Sequence, residues 1–230
     1  MKYLYDLHIH SGLSPCADND MSPANIVAMA SLKGLEIIAI SDHNSIKNVK
    51  LAIEIGKLLD ILVVPAMELQ TNEDIHILCL FETYQNLEDF YKSISFSQLE
   101  NKTQVFGNQC IYDEDDNFTE EKTLLFASAN ISESDIAKQA AFYRGIAIPA
   151  HIDRDSYGIL AVLGDLPKGY TCLELTNSAP KEIVKEYESS HNLIFNSDAH
   201  TLNDIGCANG CIELPNLTTP NLLNFLRLQK

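Results

Sequence analysis

At 230 residues and 25.6 kDa the chain can bury a substantial core, and its 46% hydrophobic and 21% charged side chains are those of an ordinary globular protein. Sixteen basic against 32 acidic residues give a formal net charge of -16, which argues against the clustered Lys and Arg that duplex nucleic acid requires. No apolar run reaches membrane-spanning length and the N-terminal MKYLYD lacks a secretory pattern, so a cytoplasmic location with no membrane partner is expected.

The first predicted element is a strand, YLYDLHI. Side chains alternate along a strand, which sends His8 and His10 to one side and Leu7 and Ile9 to the other. SPANIVAMASLKG follows as a helix, with Ser22 as N-cap, Pro23 in the first turn and Gly34 as a stop. The strand EIIAIS at 36–41 ends in Asp42 and His43, and SIKNVKLAIEIGKLLD then shows helical spacing. Strand ILVVPAM at 61–67 ends at Glu68, and DIHILCLF at 74–81 carries His76.

The rhythm breaks between about 97 and 128, where QCIY and TLLFA flank the acidic turn DEDDNFTEE and predict a hairpin with solvated carboxylates. Helix SESDIAKQAAFYRG, with Ser132 at its start, leads into GIAIPA at 145–150, just before His151 and Arg154. CLELT, the helix APKEIVKEYESSHN and LIFNS complete the pattern, the last running into Asp198 and His200. This β-α-β-α order predicts a mainly parallel sheet in a single domain, 1–230, with the hairpin as an insertion near 97–128.

Six of the seven histidines thus fall on or just after a strand. Taken singly, each polar residue has an ordinary reading: His76 as a satisfied core histidine, Glu68 as a cap, His151 as a turn residue. Together they place imidazoles and acids where strand ends converge in α/β folds. Buried without metal, such a cluster suffers repulsion and desolvation, whereas divalent cations neutralise it. His191 is set apart, since ESSHN reads as a helix C-terminus. The cysteines, including the CxxxC pair Cys207 and Cys211, read as structural thiols of a reducing compartment.

These motifs resemble the PHP family of metallophosphoesterases, named for polymerase and histidinol phosphatase. DLHIHS matches the first motif, ISDHNS the second, the Glu68 to His76 stretch the third, and PAHIDR and NSDAH the last two. The resemblance implies a distorted (β/α)7 barrel with a trinuclear metal site at the C-terminal ends of its strands. It implies His8, His10, Glu68 and Asp198 around one cation, Glu68, His76 and His151 around a second, and Asp18, His43 and His200 around a third. Asp18 is reached by counting back five residues from Pro23, and Asp20 competes with it.

Mixed imidazole and carboxylate ligation suits Zn, Mn or Fe, three ions per chain. A pair of cations bridged by Glu68 would lower the pKa of a shared water and create a hydroxide nucleophile. Arg154 could bind a phosphate bidentately, though it could equally be a surface Arg paired with an acid, and His200 could serve the leaving oxygen. Glu68, Arg154 and His200 are therefore the candidate catalytic residues. The expected activity is hydrolysis of a small phosphate ester, a nucleotide or a short oligonucleotide end, with no duplex nucleic acid as partner. Histidinol phosphate is an alternative substrate, and a non-catalytic metal-binding module or an amide-cleaving metal hydrolase are alternatives of other classes.

Overall fold

The computed structural model describes residues 1–208 and 210–228. Strand β1 (Lys2–Ile9) leads through helix α1 (Pro23–Leu32) to β2 (Ile37–Ile40), then α2 (Val49–Leu58), β3 (Leu62–Val63), β4 (Ala66–Gln70) and β5 (His76–Phe81). Next come α3 (Tyr84–Ser93), α4 (Thr103–Phe106), β6 (Cys110–Tyr112) and β7 (Phe118–Glu120). The chain continues with α5 (Glu133–Phe142), β8 (Gly145–Pro149), α6 (Ile159–Leu163), β9 (Cys172–Leu175) and α7 (Lys181–Tyr187). It ends with β10 (Asn192–Phe195), β11 (Gly210–Glu213) and α8 (Thr219–Arg227).

Local chemistry sets several of these boundaries. The Ser22 side chain accepts from the Asn25 N–H at 3.3 Å and Pro23 opens α1, as the sequence predicts. Pro65 lacks an N–H and divides the expected strand 61–67 into β3 and β4. In α2 the preceding Asn48 does not cap. Its side chain instead donates to Ser11 Oγ at 2.8 Å and to the Cys110 carbonyl at 3.0 Å, tying β6 to the loop after β1.

The strands form four sheets, ordered β11-β1-β2-β3, β4-β5-β8, β9-β10 and β6-β7, with no closed barrel among the described residues. β1, β2 and β3 are parallel, as are β9 and β10. β11 runs antiparallel to β1, and β4, β5 and β8 alternate in direction. The mainly parallel sheet expected from the element order is therefore corrected to a mixed one. The link of residues 71–75 between β4 and β5 is far shorter than the dozen or so residues a parallel crossover needs. Single parallel bridges, Ile9 to Ala199 and His43 to Glu68, join neighbouring sheets.

Alternation along β5 sends Ile77, Cys79 and Phe81 into one apolar cluster and Leu78 and Leu80 into another, so this sheet is covered on both faces. β1 departs from simple alternation. A register shift between Asp6 and Ile9 places Leu7 in the cluster with Leu78 and Ile9 in a third cluster against α1. The insertion does contain a hairpin, but its second arm is Phe118–Glu120 rather than TLLFA, with Cys110 opposite Glu120. Asp113 accepts from the N–H groups of Asp115 and Asn117 and closes the turn.

Candidate metal centre

Glu68, on β4, sits at the middle of a buried ring of imidazoles. Its Oε1 lies 3.0 Å from His76 Nδ1 and 3.3 Å from both His8 Nε2 and His151 Nε2. Its Oε2 lies 2.8 Å from His43 Nδ1 and 3.5 Å from His10 Nε2. Asp198 Oδ1 adds contacts of 3.0 Å to His10 Nε2 and 3.4 Å to His8 Nε2. The rings come from β1, β5 and the exits of β2 and β8, so four strands supply one centre.

Backbone geometry aims these groups. His151, just beyond β8, and Asp198, beyond β10, have φ of 31° and 50°, in the left-handed region that non-glycine residues avoid. The loop carrying Asp198 is sutured to β1 by Asp6, which accepts from Ser197 Oγ at 2.5 Å and from the Gly206 N–H at 2.7 Å. Asn196 accepts from the Leu7 N–H at 2.8 Å and adds a second stitch.

Hydrogen bonds on the outer side of three rings fix which nitrogen faces inward. His8 Nδ1 donates to the Glu174 carboxylate, 2.9 and 3.0 Å from its two oxygens. Ser14 Oγ gives its only proton to Asp42 Oδ1 at 2.7 Å, so it must accept from His10 Nδ1 at 2.9 Å. His200 Nδ1 donates to the Asp198 carbonyl at 2.7 Å. Each ring thereby turns Nε2 inward, free to take a second proton or a cation. Glu174, Asp42, Ser14 and Asn196 were not anticipated as site residues. Their one signal was polarity in the wrong place, a Glu in the apolar strand CLELT above all.

The metal-free electrostatics are those of a frustrated cluster. Burial opposes charging His8, but the carboxylates of Glu174, Glu68 and Asp198 override it and hold its pKa well above the usual histidine value. His43 is likewise pushed up to about 10 against its burial, by Glu68 and Cys16. His10 goes the other way, held well below the usual value by burial and by the charge of His43. Glu68 and Asp198 stay ionised well below the usual carboxylate range in spite of burial, Glu68 chiefly through His76 and Asp198 chiefly through His8.

Divalent cations fit this donor set. Four buried polar atoms of the centre, His43 Nδ1, Glu68 Oε2, His151 Nδ1 and Asp198 Oδ1, make no well-aligned hydrogen bond, although the first two lie 2.8 Å apart and the last 3.0 Å from His10 Nε2. Such orphans cost about 1–3 kcal/mol each when left unsatisfied. His8 Nε2 and His10 Nε2 face each other at 3.2 Å, close to the edge of a tetrahedron built on metal–nitrogen bonds of about 2.0–2.1 Å, roughly 3.3 Å. Three groups of candidate ligand atoms lie within 4.8 Å of one another: His8, His10 and Asp198; His43, Glu68 and His76; and His10, Cys16, His43 and His200.

Asp18 is not in any of these groups, and neither is Asp20. Both side chains are exposed, and Asp18 meets His200 only through its backbone, its N–H donating to the His200 carbonyl at 2.9 Å. Cys16, read from the sequence as a neighbour, is in the last of these groups. His191 lies away from the centre, against Ser190 and Tyr187. Arg154 pairs with Asp198, Nη1 to Oδ2 at 2.5 Å, and reaches the rim of the cleft above the centre.

That cleft encloses about 550 Å³. One wall is built by the insertion, through Phe106, Leu124 and Phe126, and Tyr157 closes another side. Tyr157 stacks on His76 with ring centres 4.4 Å apart at 9°, and Phe126 meets His43 edge-on at 5.0 Å. No sequence motif marks the role of the insertion. Its aromatic residues are separated by irregular chain, so no periodicity marks them.

The sequence profile of the PHP domain matches residues 6–154, which includes β1 through β8 and leaves Asp198 and His200 beyond it. An uncharacterized protein of Methanocaldococcus jannaschii is 32% identical over 114 residues, 46% of this chain and 64% of that one. The lesion-specific endonuclease Q of Pyrococcus furiosus has a similar fold, with a TM-score of 0.70 and 19% identity over 99% of this chain and 56% of its own. Endonuclease Q bound to a 27-mer duplex with an abasic lesion at its active site gives 0.68 and 18% over 100% and 58%. A candidate metal-dependent phosphoesterase of Bifidobacterium adolescentis gives 0.58 and 16% over 96% and 94%. The chain therefore spans 64% of its archaeal relative and a little over half of endonuclease Q.

These relatives correct the expected partners, a small phosphorylated substrate and no duplex nucleic acid. A fold that covers all of this chain has been seen on duplex DNA. A net charge averaged over the chain says little about a cleft whose acids are the ones that cations would neutralise. Among the described residues, no helix is long and apolar enough to cross a membrane.

Proposed function

The chain belongs to the PHP domain family, and on that premise we propose that it is a metal-dependent phosphodiesterase that hydrolyses a nucleic-acid strand. The observation that carries this reading is Glu68 ringed by five imidazoles at the floor of a cleft with aromatic walls. Divalent cations bound there would supply Lewis acidity toward a phosphoryl oxygen and an activated water.

The ligands on this reading are His8, His10, His43, Glu68, His76, His151, Asp198 and His200, holding up to three ions of Zn, Mn or Fe. Glu68, central to the ring of imidazoles, would balance the charge of the cations held there. Arg154 exchanges its pairing with Asp198 for a non-bridging oxygen of the substrate, which places the phosphate beneath the rim. His200, at 29% side-chain exposure the most open of the clustered histidines in ion pairs, faces the leaving-oxygen side. Phe126, Phe106 and Tyr157 offer faces on which a nucleobase stacks. We read the four sheets as arcs of a distorted (β/α)7 barrel in one domain, supported by the Ile9–Ala199 and His43–Glu68 bridges.

The test is cleavage of end-labelled single strands and of duplexes with and without an abasic site, by protein loaded with Zn or Mn, beside mononucleotide esters. Chelator-sensitive cleavage of a strand is expected. Full metal occupancy with no cleavage of any strand would refute the proposal and leave a metal-binding module.

A further inference from the structure

We propose that Cys16, in the loop between β1 and α1, is a cation ligand together with His43 and His200, and that its thiolate makes this position select zinc over manganese. The inference rests on the metal-dependent reading above and goes beyond it, since the family resemblance implies an aspartate here. Candidate ligand atoms of the three residues, with His10 beside them, all lie within 4.8 Å of one another. Cys16, His43 and His200 all line the cleft.

The loop is built to hold that position. Gly12 N–H donates to the Met21 carbonyl at 2.8 Å and closes the loop base, and Ala17 N–H donates to the Ser14 carbonyl at 2.9 Å. Asp18 N–H fastens the loop to the His200 backbone, which carries the thiol to the His200 ring and turns the Asp18 side chain outward. Tyr112 of the hairpin packs so closely over Gly12 that an added Cβ would lie 2.3 Å from its hydroxyl. That hydroxyl donates to the Asn19 carbonyl at 2.5 Å and braces the far side of the loop.

Ring orientation supplies an independent argument. His200 is locked by an outer hydrogen bond from Nδ1 to the Asp198 carbonyl, so it presents Nε2 on the cluster side. His43 holds Nδ1 2.8 Å from Glu68 Oε2, and its ring lines the same cleft as Cys16. Two imidazoles and a thiolate, with one position open to water or substrate, make a soft set that suits zinc, whereas manganese prefers carboxylate, carbonyl and water oxygens.

The experiment is cobalt reconstitution of the chelated full chain, read by metal content and by the near-ultraviolet thiolate-to-cobalt charge-transfer band. The wild type is expected to show the band. Cys16→Ser should lose it, Cys16→Asp should lose it while keeping cobalt, and Asp18→Asn should change neither band nor metal content. In zinc–manganese competition, Cys16→Asp should reduce the preference for zinc at least tenfold. A band that persists in Cys16→Ser, or loss of a cobalt equivalent in Asp18→Asn, overturns the assignment. Cobalt bound without any band overturns Cys16 alone, and no cobalt bound overturns the metal-dependent reading with it. Cys16 is exposed, so thermal melts of the variants should match the wild type and separate ligand loss from misfolding.

Discussion

Glu174→Gln removes the one charge that lies behind His8 while keeping its shape. In the native protein both carboxylate oxygens lie about hydrogen-bond distance from His8 Nδ1, at 2.9 and 3.0 Å, and Asn196 Nδ2 donates to Oε1 at 3.2 Å. Both side chains of the pair are buried, so no water replaces the lost oxygen. The amide oxygen of Gln, placed at Oε1, can still accept from both donors, but its NH2 then stands where Oε2 was, 3.0 Å from His8 Nδ1, and repels the N–H. The imidazole becomes both less basic and less firmly aimed. Partners of this kind are worth about 10- to 100-fold in metal affinity, or about 1.4 to 2.8 kcal/mol. The assay is zinc competition with a chromophoric chelator, which should show one class of site weakened by that factor and the others held. Affinities within twofold of wild type at every site would refute the idea that Glu174 sets the basicity of His8.

Glu68→Gln should release at least one metal equivalent and lower strand cleavage by at least about 100-fold, with the circular dichroism spectrum unchanged; metal content and turnover check this on one sample. Chelated protein should lose stability as pH rises. His43 gains its folded-state proton affinity from Glu68 and Cys16, so its contribution is complete below the unfolded value of about 6.5 and disappears as pH climbs through about 10. Melting temperatures at pH 6.5 and 9.5, in chelator and in zinc, decide the point, and a flat profile in chelator would count against it. Phe126→Ala should raise KM for an oligonucleotide by about 5- to 150-fold and leave kcat nearly unchanged, because a stacking face contributes about 1–3 kcal/mol to binding alone. Gly145→Ala tests the fold rather than the site: the new Cβ would lie 2.4 Å from Phe81 and 2.9 Å from the Leu80 carbonyl. A cost of about 1–3 kcal/mol should lower the melting temperature by about 2–12 °C.

The clustered histidines were legible because each sits at a strand end, and strand ends can be read from apolar runs followed by polar ones. Residues that complete a site from within loops were not. Asp18 and Cys16 are two positions apart, and nothing in the local sequence says that Cys16 is the one that lies near the imidazoles. Strand direction was misread for a related reason. Runs such as ILVVPAM and DIHILCLF look alike in either sense, and the shortness of residues 71–75 was the cue that β4 and β5 form a hairpin. Helix α3, strand β11 and helix α8 were not separated from their surroundings, and Leu7 and Ile9 parted company through a register shift that no alternation pattern carries. The supporting groups are hardest of all. Glu174, Asp42 and Ser14 have ordinary local contexts, and their work is defined by partners distant in the chain.

The centre draws His8 and His10 from β1 and its exit, and Asp198 and His200 from the loop beyond β10. During synthesis these first imidazoles must therefore wait for partners that lie far later in the sequence. A cation captured early would meet only part of its ligand set and hold weakly, so loading would follow the arrival of Asp198. Occupancy of the centre would then report on the integrity of everything between β1 and the exit of β10, and a truncation before residue 198 would forfeit it however well the remaining strands pair.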